Sequence, residues 1–417
     1  MPTPPERAPG LWQRVQPRLL KAANRVEDAF DAARYRFHAG RGWRIPIRIL
    51  PYRGFGTPQR MLVRGRVVRD RDIPDDTSQQ GTLGTLMTSV RRYATHEIPR
   101  AKVRVRHGSE DRIATSDQEG FLGFWWEVQP EHTTAAGWLE VDLELVEPRV
   151  RSGQFRAKAD VLVVPPTARF GVISDIDDTI LQMGARSLLR KFRGLFLLNA
   201  RQRLPFEGVA ALYRALEEGK GAASTGARSP DGASHNPIFY VSSSPWNVYE
   251  HLLEFFALHD LPKGPLFLRD WGLTEKGFAP DGRHEHKLDP IHLVLDVYPE
   301  LPFILIGDSG QQDAELYEQV CRSHPGRIAA VYIRDVVKSG KRDPAMKRVA
   351  ANMKELGVPF CLAKDSEAAA QHAASLGFIS WGKIEEIVEE RDRDRDGMPD
   401  DVDPDDNTPD SRPSPGE

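Results

Sequence analysis

Residues 170–179 read FGVISDIDDT, and in this stretch a short apolar run passes directly into a cluster of carboxylates. Asp175 and Asp177 stand two residues apart where the apolar run ends. In open α/β sheets, ligands bind at the carboxyl ends of the parallel strands. The stretch therefore predicts a strand that delivers two carboxylates to a binding site, although a simple acidic turn would have the same sequence.

The chain downstream of residue 166 repeats this pattern, with apolar strands alternating with helical periodicity. Such alternation is typical of a parallel sheet covered by helices on both faces. The predicted strands are residues 169–174, 238–242, 265–268, 303–306, 328–333 and 360–363. The predicted helices are residues 208–218, 248–259, 290–298, 313–324 and 366–376. Residues 221–236, rich in Gly, Ser and Ala, are predicted to form a surface loop.

Three further polar motifs follow the paired aspartates, two of them at predicted strand ends. YVSSS closes one strand, a lysine opens an amphipathic segment, and GDSGQQD closes another strand. Singly, each has an ordinary explanation, because Ser and Asp often cap helices and Lys is usually solvated. Their occurrence together, in this order, favours a single phosphate-binding and metal-binding site. The residues concerned are Ser242, Ser243, Lys287, Asp308 and Asp313.

These four motifs resemble those of the haloacid-dehalogenase (HAD) phosphatases: an Asp-x-Asp pair, a Ser or Thr, a Lys, and Gly-Asp followed by a further acid. Within that superfamily, DIDDT, YVSSSPWNVY, residues 287–299 and GDSGQQD resemble the App1-type phosphatidate phosphatases, over roughly residues 165–370. The resemblance implies a HAD-like Rossmannoid sheet and Mg²⁺ as cofactor. It also implies that the substrate is a phosphate monoester, phosphatidate, hydrolysed to diacylglycerol through an aspartyl-phosphate intermediate.

The resemblance and the chemistry of phosphoryl transfer together suggest a role for each residue. Asp175 would attack phosphorus, and Asp177 would protonate the leaving alkoxide and then deprotonate water. Mg²⁺ would be held by Asp175, Asp308 and the carbonyl of Asp177, with Asp313 as a ligand or an orienting neighbour. The predicted substrate contacts are Ser242, with Ser243 as the alternative, Lys287, Thr179 and Arg186.

Two other classes of protein remain as alternatives. Receiver domains also combine acids, a Ser or Thr and a Lys on a parallel sheet, but they need no acid/base two residues after the phospho-acceptor, as Asp177 is here. A non-catalytic HAD-like interaction scaffold would keep the fold without turnover. The substrate is also open between phosphatidate and a non-lipid ester such as a phosphoprotein or a sugar phosphate.

The 417-residue chain is long enough for several units. Residues 1–44 are predicted to form a basic amphipathic helix, which either packs on the next domain or docks on an anionic membrane. Apolar/polar alternation predicts a β-sandwich within residues 45–166. The HAD-like catalytic domain is predicted at residues 167–385, followed by an acidic tail at 386–417.

The acidic tail contains DRDRDGMPDDVD at residues 392–403. Its aspartates have the oxygen-ligand spacing of a Ca²⁺-binding loop, with glycine at the sharp turn. A disordered acidic tail would explain the composition equally well. The candidate Ca²⁺ ligands are Asp392, Asp394, Asp396, Asp400 and Asp403.

Net charge, cysteine content and hydropathy limit the kinds of partner and the cellular location that the sequence predicts. The net charge of −3 does not favour nucleic acid as a partner, and two cysteines are too few for a disulfide framework. With no secretory signal and no spanning run in the sequence, we expect a cytoplasmic location with peripheral membrane contact. Residues 181–199, both apolar and basic, either cover the sheet edge or lie in the lipid headgroup layer.

Overall fold

The computed structural model describes residues 46–69, 97–128, 136–149, 153–177, 179–180, 206–220, 236–269, 285–336 and 343–391. The predicted helix at 1–44, the apolar and basic segment at 181–199 and the acidic loop at 392–403 lie outside these residues. Most of the predicted surface loop, residues 221–235, also lies outside them. Among the residues described, no helix is both long and apolar enough to cross a bilayer.

The N-terminal half forms one seven-stranded sheet, with strand order β4-β3-β6-β7-β1-β2-β5. Neighbouring strands are antiparallel except β1 and β7, which are parallel. Its strands are β1 (Ile47–Thr57), β2 (Arg60–Arg69), β3 (Lys102–His107), β4 (Glu110–Thr115), β5 (Phe121–Glu127), β6 (Gly137–Glu147) and β7 (Arg156–Val163).

This single sheet differs from the predicted two-sheet sandwich. Its outermost strands, β4 and β5, are joined by a tight turn and contact each other, so the sheet curls towards a barrel around one apolar core. In the turn, the Asp117 carboxylate accepts hydrogen bonds from the backbone N–H groups of Glu119 (2.9 Å) and Phe121 (2.8 Å). Alternation could not reveal this difference, because a sandwich and a rolled sheet both bury one face of every strand.

The C-terminal half forms a six-stranded parallel sheet, with order β10-β9-β8-β11-β12-β13. Its strands are β8 (Gly171–Asp175), β9 (Ile238–Pro245), β10 (Leu266–Arg269), β11 (Phe303–Asp308), β12 (Ile328–Arg334) and β13 (Phe360–Ala363). The strand order reverses between β8 and β11, which makes their carboxyl ends the topological switch point where a ligand crevice is expected. Both strands end in an aspartate, Asp175 and Asp308.

Helices cover both faces of the parallel sheet and enclose two apolar clusters. They are α1 (Val209–Glu218), α2 (Tyr249–Leu258), α3 (Glu285–Val297), α4 (Asp313–Ser323), α5 (Asp343–Glu355), α6 (Ser366–Ser375) and α7 (Lys383–Arg391). Helix α3 begins before its predicted start at residue 290, so Lys287 belongs to its first turn and Pro290 lies within it. Proline is favoured at helix starts, so the pattern predicts a start at Pro290 and not one turn earlier.

The predicted domain boundary at residues 385/386 falls inside α7. Ile387 of this helix is fully buried in the apolar cluster beneath α1. Arg214 of α1 donates to the Glu390 carboxylate over 2.6 Å. The catalytic half therefore extends at least to the end of α7.

Candidate active site

Asp175, the last residue of β8, lies at the centre of a buried polar cluster. Its side chain is 0 % exposed, and Oδ1 lies 2.7 Å from Lys287 Nζ. Thr179 Oγ1 donates a hydrogen bond to Oδ2 over 3.2 Å, which fixes the orientation of the carboxylate. The pKa of Asp175 lies well above its usual range, because the effect of burial outweighs the opposing effect of the Lys287 cation.

Lys287 links two carboxylates in the interior. Its Nζ lies 2.7 Å from both Asp175 Oδ1 and Asp313 Oδ1, and it donates to Gln311 Oε1 over 3.4 Å. Burial acts to lower the pKa of this amine, but the carboxylates of Asp175 and Asp313 outweigh it and raise the pKa. Lys287 is therefore a permanent cation between two acids.

A divalent cation fits beside this pair. Asp175, Asp308 and Asp313 are all buried, and each offers a carboxylate oxygen within 4.8 Å of the others'. Asp177 adds a fourth buried carboxylate, while Lys287 is the one buried lysine among the residues that the structure describes. Buried anions in such excess are strongly unfavourable unless they protonate or bind a cation. Clustered carboxylate oxygens are the ligands that Mg²⁺ prefers, so these residues fit the metal implied by the resemblance.

The loop after β11 is shaped by backbone hydrogen bonds to its own aspartates. Asp308 Oδ1 accepts from the N–H groups of Gly310 (2.6 Å) and Gln311 (2.9 Å). Asp313 Oδ2 accepts from the N–H of Asp308 over 3.3 Å. A Cβ at Gly307 would lie 2.7 Å from Asp313 Cβ, so only glycine allows Asp313 to approach this closely.

Asp177 is held separately, by the end of β9. Ser242 Oγ donates to Oδ2 over 2.7 Å and Ser244 Oγ donates to Oδ1 over 3.2 Å. Its carbonyl oxygen accepts from Gln311 Nε2 over 3.1 Å. Burial raises the pKa of Asp177, and the hydrogen bond from Ser242 opposes that shift. A buried carboxyl with a raised pKa retains a proton closer to neutral pH, as a general acid requires.

The structure brings most of the predicted site residues together, with some differences in contact. Thr179, predicted to touch substrate, contacts Asp175. The Ser242 proton is committed to Asp177, and Ser243 provides a backbone hydrogen bond to the same carboxylate. Arg186 and the five candidate Ca²⁺ ligands lie outside the described residues.

Two residues of the cluster were not predicted from the sequence, Ser244 and Gln311. Both lie inside motifs that had been recognised, SSS and GDSGQQD. Alternation along β9 was the available signal for Ser244, because residues two apart on a strand point to the same side. Gln311 lies in a loop, where no sequence periodicity indicates the side to which a side chain points.

The comparisons with known proteins concern this part of the chain. Residues 170–335, which contain the whole cluster, match the family model described as "Phosphatidate phosphatase APP1, catalytic domain". Phosphatidate phosphatase APP1 of Saccharomyces cerevisiae is 32% identical over 165 residues, which are 39% of this chain and 25% of the yeast protein. These matches support the App1 family for the catalytic segment.

Two more distant similarities complete the comparison. An uncharacterized protein of Schizosaccharomyces pombe is 25% identical over 250 residues, 60% of this chain and 38% of that protein. The chain thus spans between a quarter and two fifths of the length of these two relatives. A carbohydrate acetylesterase from Xanthomonas citri aligns over 78% of this chain and 72% of its own, at 13% identity and a TM-score of 0.29, too low to support a common fold.

Proposed function

We propose that this protein is a Mg²⁺-dependent phosphohydrolase of the HAD type that hydrolyses phosphatidate through an aspartyl phosphate on Asp175. One observation carries the proposal: Asp175 lies against Lys287 while Asp177, two residues away, is held independently by Ser242 and Ser244. A nucleophile and an acid/base on one strand end, with separate partners, are what a two-step hydrolysis needs. The similarity to APP1 supports phosphatidate as the substrate.

In the first step, Asp175 attacks phosphorus, an O–P bond forms and the ester O–P bond breaks. Asp177 gives its proton to the departing alkoxide. In the second step, Asp177 takes a proton from water, the water oxygen attacks phosphorus, and the bond to Asp175 breaks to release phosphate. Lys287 stabilises the negative charge carried by Asp175 and the transferring group throughout.

Mg²⁺ would be held by Asp175 and Asp308, with Asp313 as a ligand or an orienting neighbour, and would neutralise charge on the phosphoryl oxygens. The chain itself keeps these ligands in place, since the loop N–H groups fix Asp308 and Lys287 fixes Asp313. The Asp177 carbonyl, the other proposed ligand, already accepts one hydrogen bond from Gln311 and retains a second lone pair.

Replacing a proposed metal ligand should weaken metal binding first. For Asp308→Ala we expect the Mg²⁺ concentration at half-maximal activity to rise about 10–100-fold, by analogy with the loss of residues that support metal ligands. Mg²⁺ binding measured by titration calorimetry should weaken in parallel, and excess Mg²⁺ should restore part of the rate. Asp296→Ala is the matched control, because Asp296 is an exposed carboxylate on α3. Equal Mg²⁺ affinity in wild type and Asp308→Ala would exclude Asp308 as a ligand.

The substrate class is tested by comparing phosphatidate in liposomes with a small phosphate monoester in solution, each with Mg²⁺ and with EDTA. We expect hydrolysis of both with Mg²⁺ and of neither with EDTA. Changing Arg186, Arg190, Lys191 and Arg193 to Gln should weaken liposome binding, since each cation contributes about 1 kcal/mol near an anionic surface. Activity on phosphatidate should then fall much further than activity on the small ester, for which Arg186 is the one predicted substrate contact among these four residues.

A variant with the same loss of charge elsewhere serves as the control. Arg104, Arg106, Arg156 and Lys158 lie together on one face of the seven-stranded sheet, and changing them to Gln should leave both activities unaltered. Equal losses on both substrates in the 186–193 variant would mean that those cations support the site rather than lipid binding. Hydrolysis of the small ester but not of phosphatidate by the wild type would favour a non-lipid substrate.

A further inference from the structure

The segment that holds Asp177 extends beyond its partner strand. Pairing between β8 and β9 ends at Asp175 and Val241, so Ser242–Ser244 have no β8 residue beside them in the register. On the other side, pairing with β10 shifts register between Phe267 and Arg269. Pairing with β10 resumes only at Pro245, so the position of the Asp177-binding serines depends on that pair and on the side chains that pack against the end of β9.

The residue that packs there is Trp246, two positions after Ser244. Its ring stacks on Tyr52, with centroids 4.4 Å apart and planes inclined by 22°. Phe121 meets it edge-on at 5.8 Å, and the Arg64 guanidinium carbon lies 5.0 Å from its centroid. Tyr52, Arg64 and Phe121 come from β1, β2 and β5 of the seven-stranded sheet. We call these three residues, with Trp246, the Trp246 cage.

Arg64 ties the cage to both sheets. Its Nη2 donates to the carbonyl of Leu266 in edge strand β10 over 2.9 Å, and its Nη1 donates to the carbonyl of Arg53 over 3.4 Å. Burial lowers the pKa of Arg64 to about 10, so it is charged at neutral pH. Both acceptors are neutral carbonyls, and a buried cation with such partners is less favourable than a packed apolar side chain, which indicates a positional rather than a stabilising role.

The chain after Trp246 is fixed to the same sheet. Tyr249, the first residue of α2, accepts a hydrogen bond on its hydroxyl from the backbone N–H of Arg53 over 2.7 Å. Arg48 pairs with Glu250 over 3.0 Å. The seven-stranded sheet thus holds the turn from Ser244 into α2 at three positions, Trp246, Tyr249 and Glu250.

We propose that the seven-stranded sheet helps to position residues of the active site. The Trp246 cage fixes the end of β9, and through it Ser242 and Ser244 against Asp177, with Arg64 as a positioning residue. The inference rests on the acid/base role proposed for Asp177 and adds a role for the N-terminal half of the chain. Misplacing a reacting group by about 1 Å is enough to lower a rate on the order of a hundredfold.

Arg64→Met tests the proposal, with Arg60→Met as its matched control. Arg60, the first residue of the same strand, also stacks on a tryptophan, but on Trp125 (4.3 Å to the ring centroid) and not on Trp246. We expect Arg64→Met to lower kcat for p-nitrophenyl phosphate about 10–100-fold with KM unchanged, and Arg60→Met to have no effect. Arg64→Lys, which keeps the charge and one donor, should recover part of the loss.

Hydrogen exchange provides a readout that does not depend on turnover. In Arg64→Met, amides of residues 243–249 should exchange faster, while those of β8 and β11 should not change. If Arg64→Met does not fold, the pair Trp246→Phe and Trp246→Leu replaces it. Phe keeps the stack on Tyr52 and should retain the wild-type kcat, whereas Leu should show the same loss.

A folded variant that lacks the cage but has wild-type kcat and unchanged exchange would overturn the proposal. So would a lower folded fraction with unchanged kcat per folded molecule, because the cage would then serve stability alone. A wild-type protein that hydrolyses no phosphate ester would instead refute the proposed function. In that case the exchange measurement would still decide whether the cage fixes the end of β9.

Discussion

Asp175→Asn is expected to lower kcat by about 10⁴-fold or more while leaving the protein folded. Asparagine has nearly the same volume, so packing at the end of β8 is preserved, but an amide cannot form the phosphoryl bond. Lys287 also keeps its ion pair with Asp313, so no buried cation is left alone. The measurement is steady-state phosphate release, with circular dichroism and thermal unfolding to verify the fold.

The control for the change from carboxylate to amide is Asp296→Asn, at an exposed position on α3, which should retain the wild-type rate. Retention of more than about a tenth of the wild-type kcat by Asp175→Asn would be incompatible with Asp175 as the nucleophile, since losing a nucleophile costs far more. Loss of folding in Asp175→Asn would instead show that its charge is needed mainly to balance Lys287.

Lys287→Met should abolish turnover and also destabilise the fold, by about 3–5 kcal/mol at neutral pH, because it leaves the buried carboxylates of Asp175 and Asp313 without their cation. Methionine preserves most of the volume, so a cavity does not explain the loss. The effect is measured by denaturant unfolding without metal. Burial already raises the pKa of Asp175, and removing Lys287 raises it further.

The sign of the pH dependence follows from that shift. A carboxyl whose pKa is raised in the folded state destabilises the fold fully above that raised pKa, and this cost falls to zero as the pH drops to the ordinary carboxyl range of the unfolded chain. The stability deficit of Lys287→Met should therefore shrink as the pH falls through the raised pKa of Asp175 towards the ordinary carboxyl range. A deficit that is constant with pH would point to lost packing rather than unbalanced charge.

Lys383→Met is the matched control for Lys287→Met. Lys383 also lies between two carboxylates, 2.9 Å from Glu218 and 3.0 Å from Glu386, but its side chain is 29% exposed. Partly exposed ion pairs of this kind contribute at most about 1 kcal/mol, so the change should be small. A comparable decrease in the free energy of unfolding in the two variants would contradict the conclusion that burial makes the loss of Lys287 more destabilising.

The strands of the catalytic half could be predicted because a parallel sheet buries both faces of each strand and leaves continuous apolar runs in the sequence. The convergence of Asp175, Ser242 and Asp308 followed from the same logic, since parallel strands end at one edge. The structure places all three there. Lys287 was singled out by its place in the motif order, and its helix was placed too late because Pro290 resembles a helix start.

The remaining features depend on long-range geometry that local patterns do not encode. Arg64 has the polar character of a solvated surface residue in the sequence, yet it is buried between two sheets and contacts Trp246 and Leu266 from far along the chain. The commitment of the Ser242 proton to Asp177 likewise depends on how β9 extends past β8. Neither the contacts of Arg64 nor the hydrogen bond from Ser242 to Asp177 produces a periodic pattern in the sequence, so neither could be predicted from it.

Covalent transfer of the phosphoryl group to Asp175 can be detected by trapping the intermediate in Asp177→Asn. With p-nitrophenyl phosphate the leaving group departs without a proton, so the first step persists while the hydrolysis that needs a base slows. Mass spectrometry of the quenched, digested protein should show one phosphoryl group on the peptide that contains Asp175, removed by mild base. Phosphorylation at Ser242 or another residue, or none while product still forms, would contradict the account.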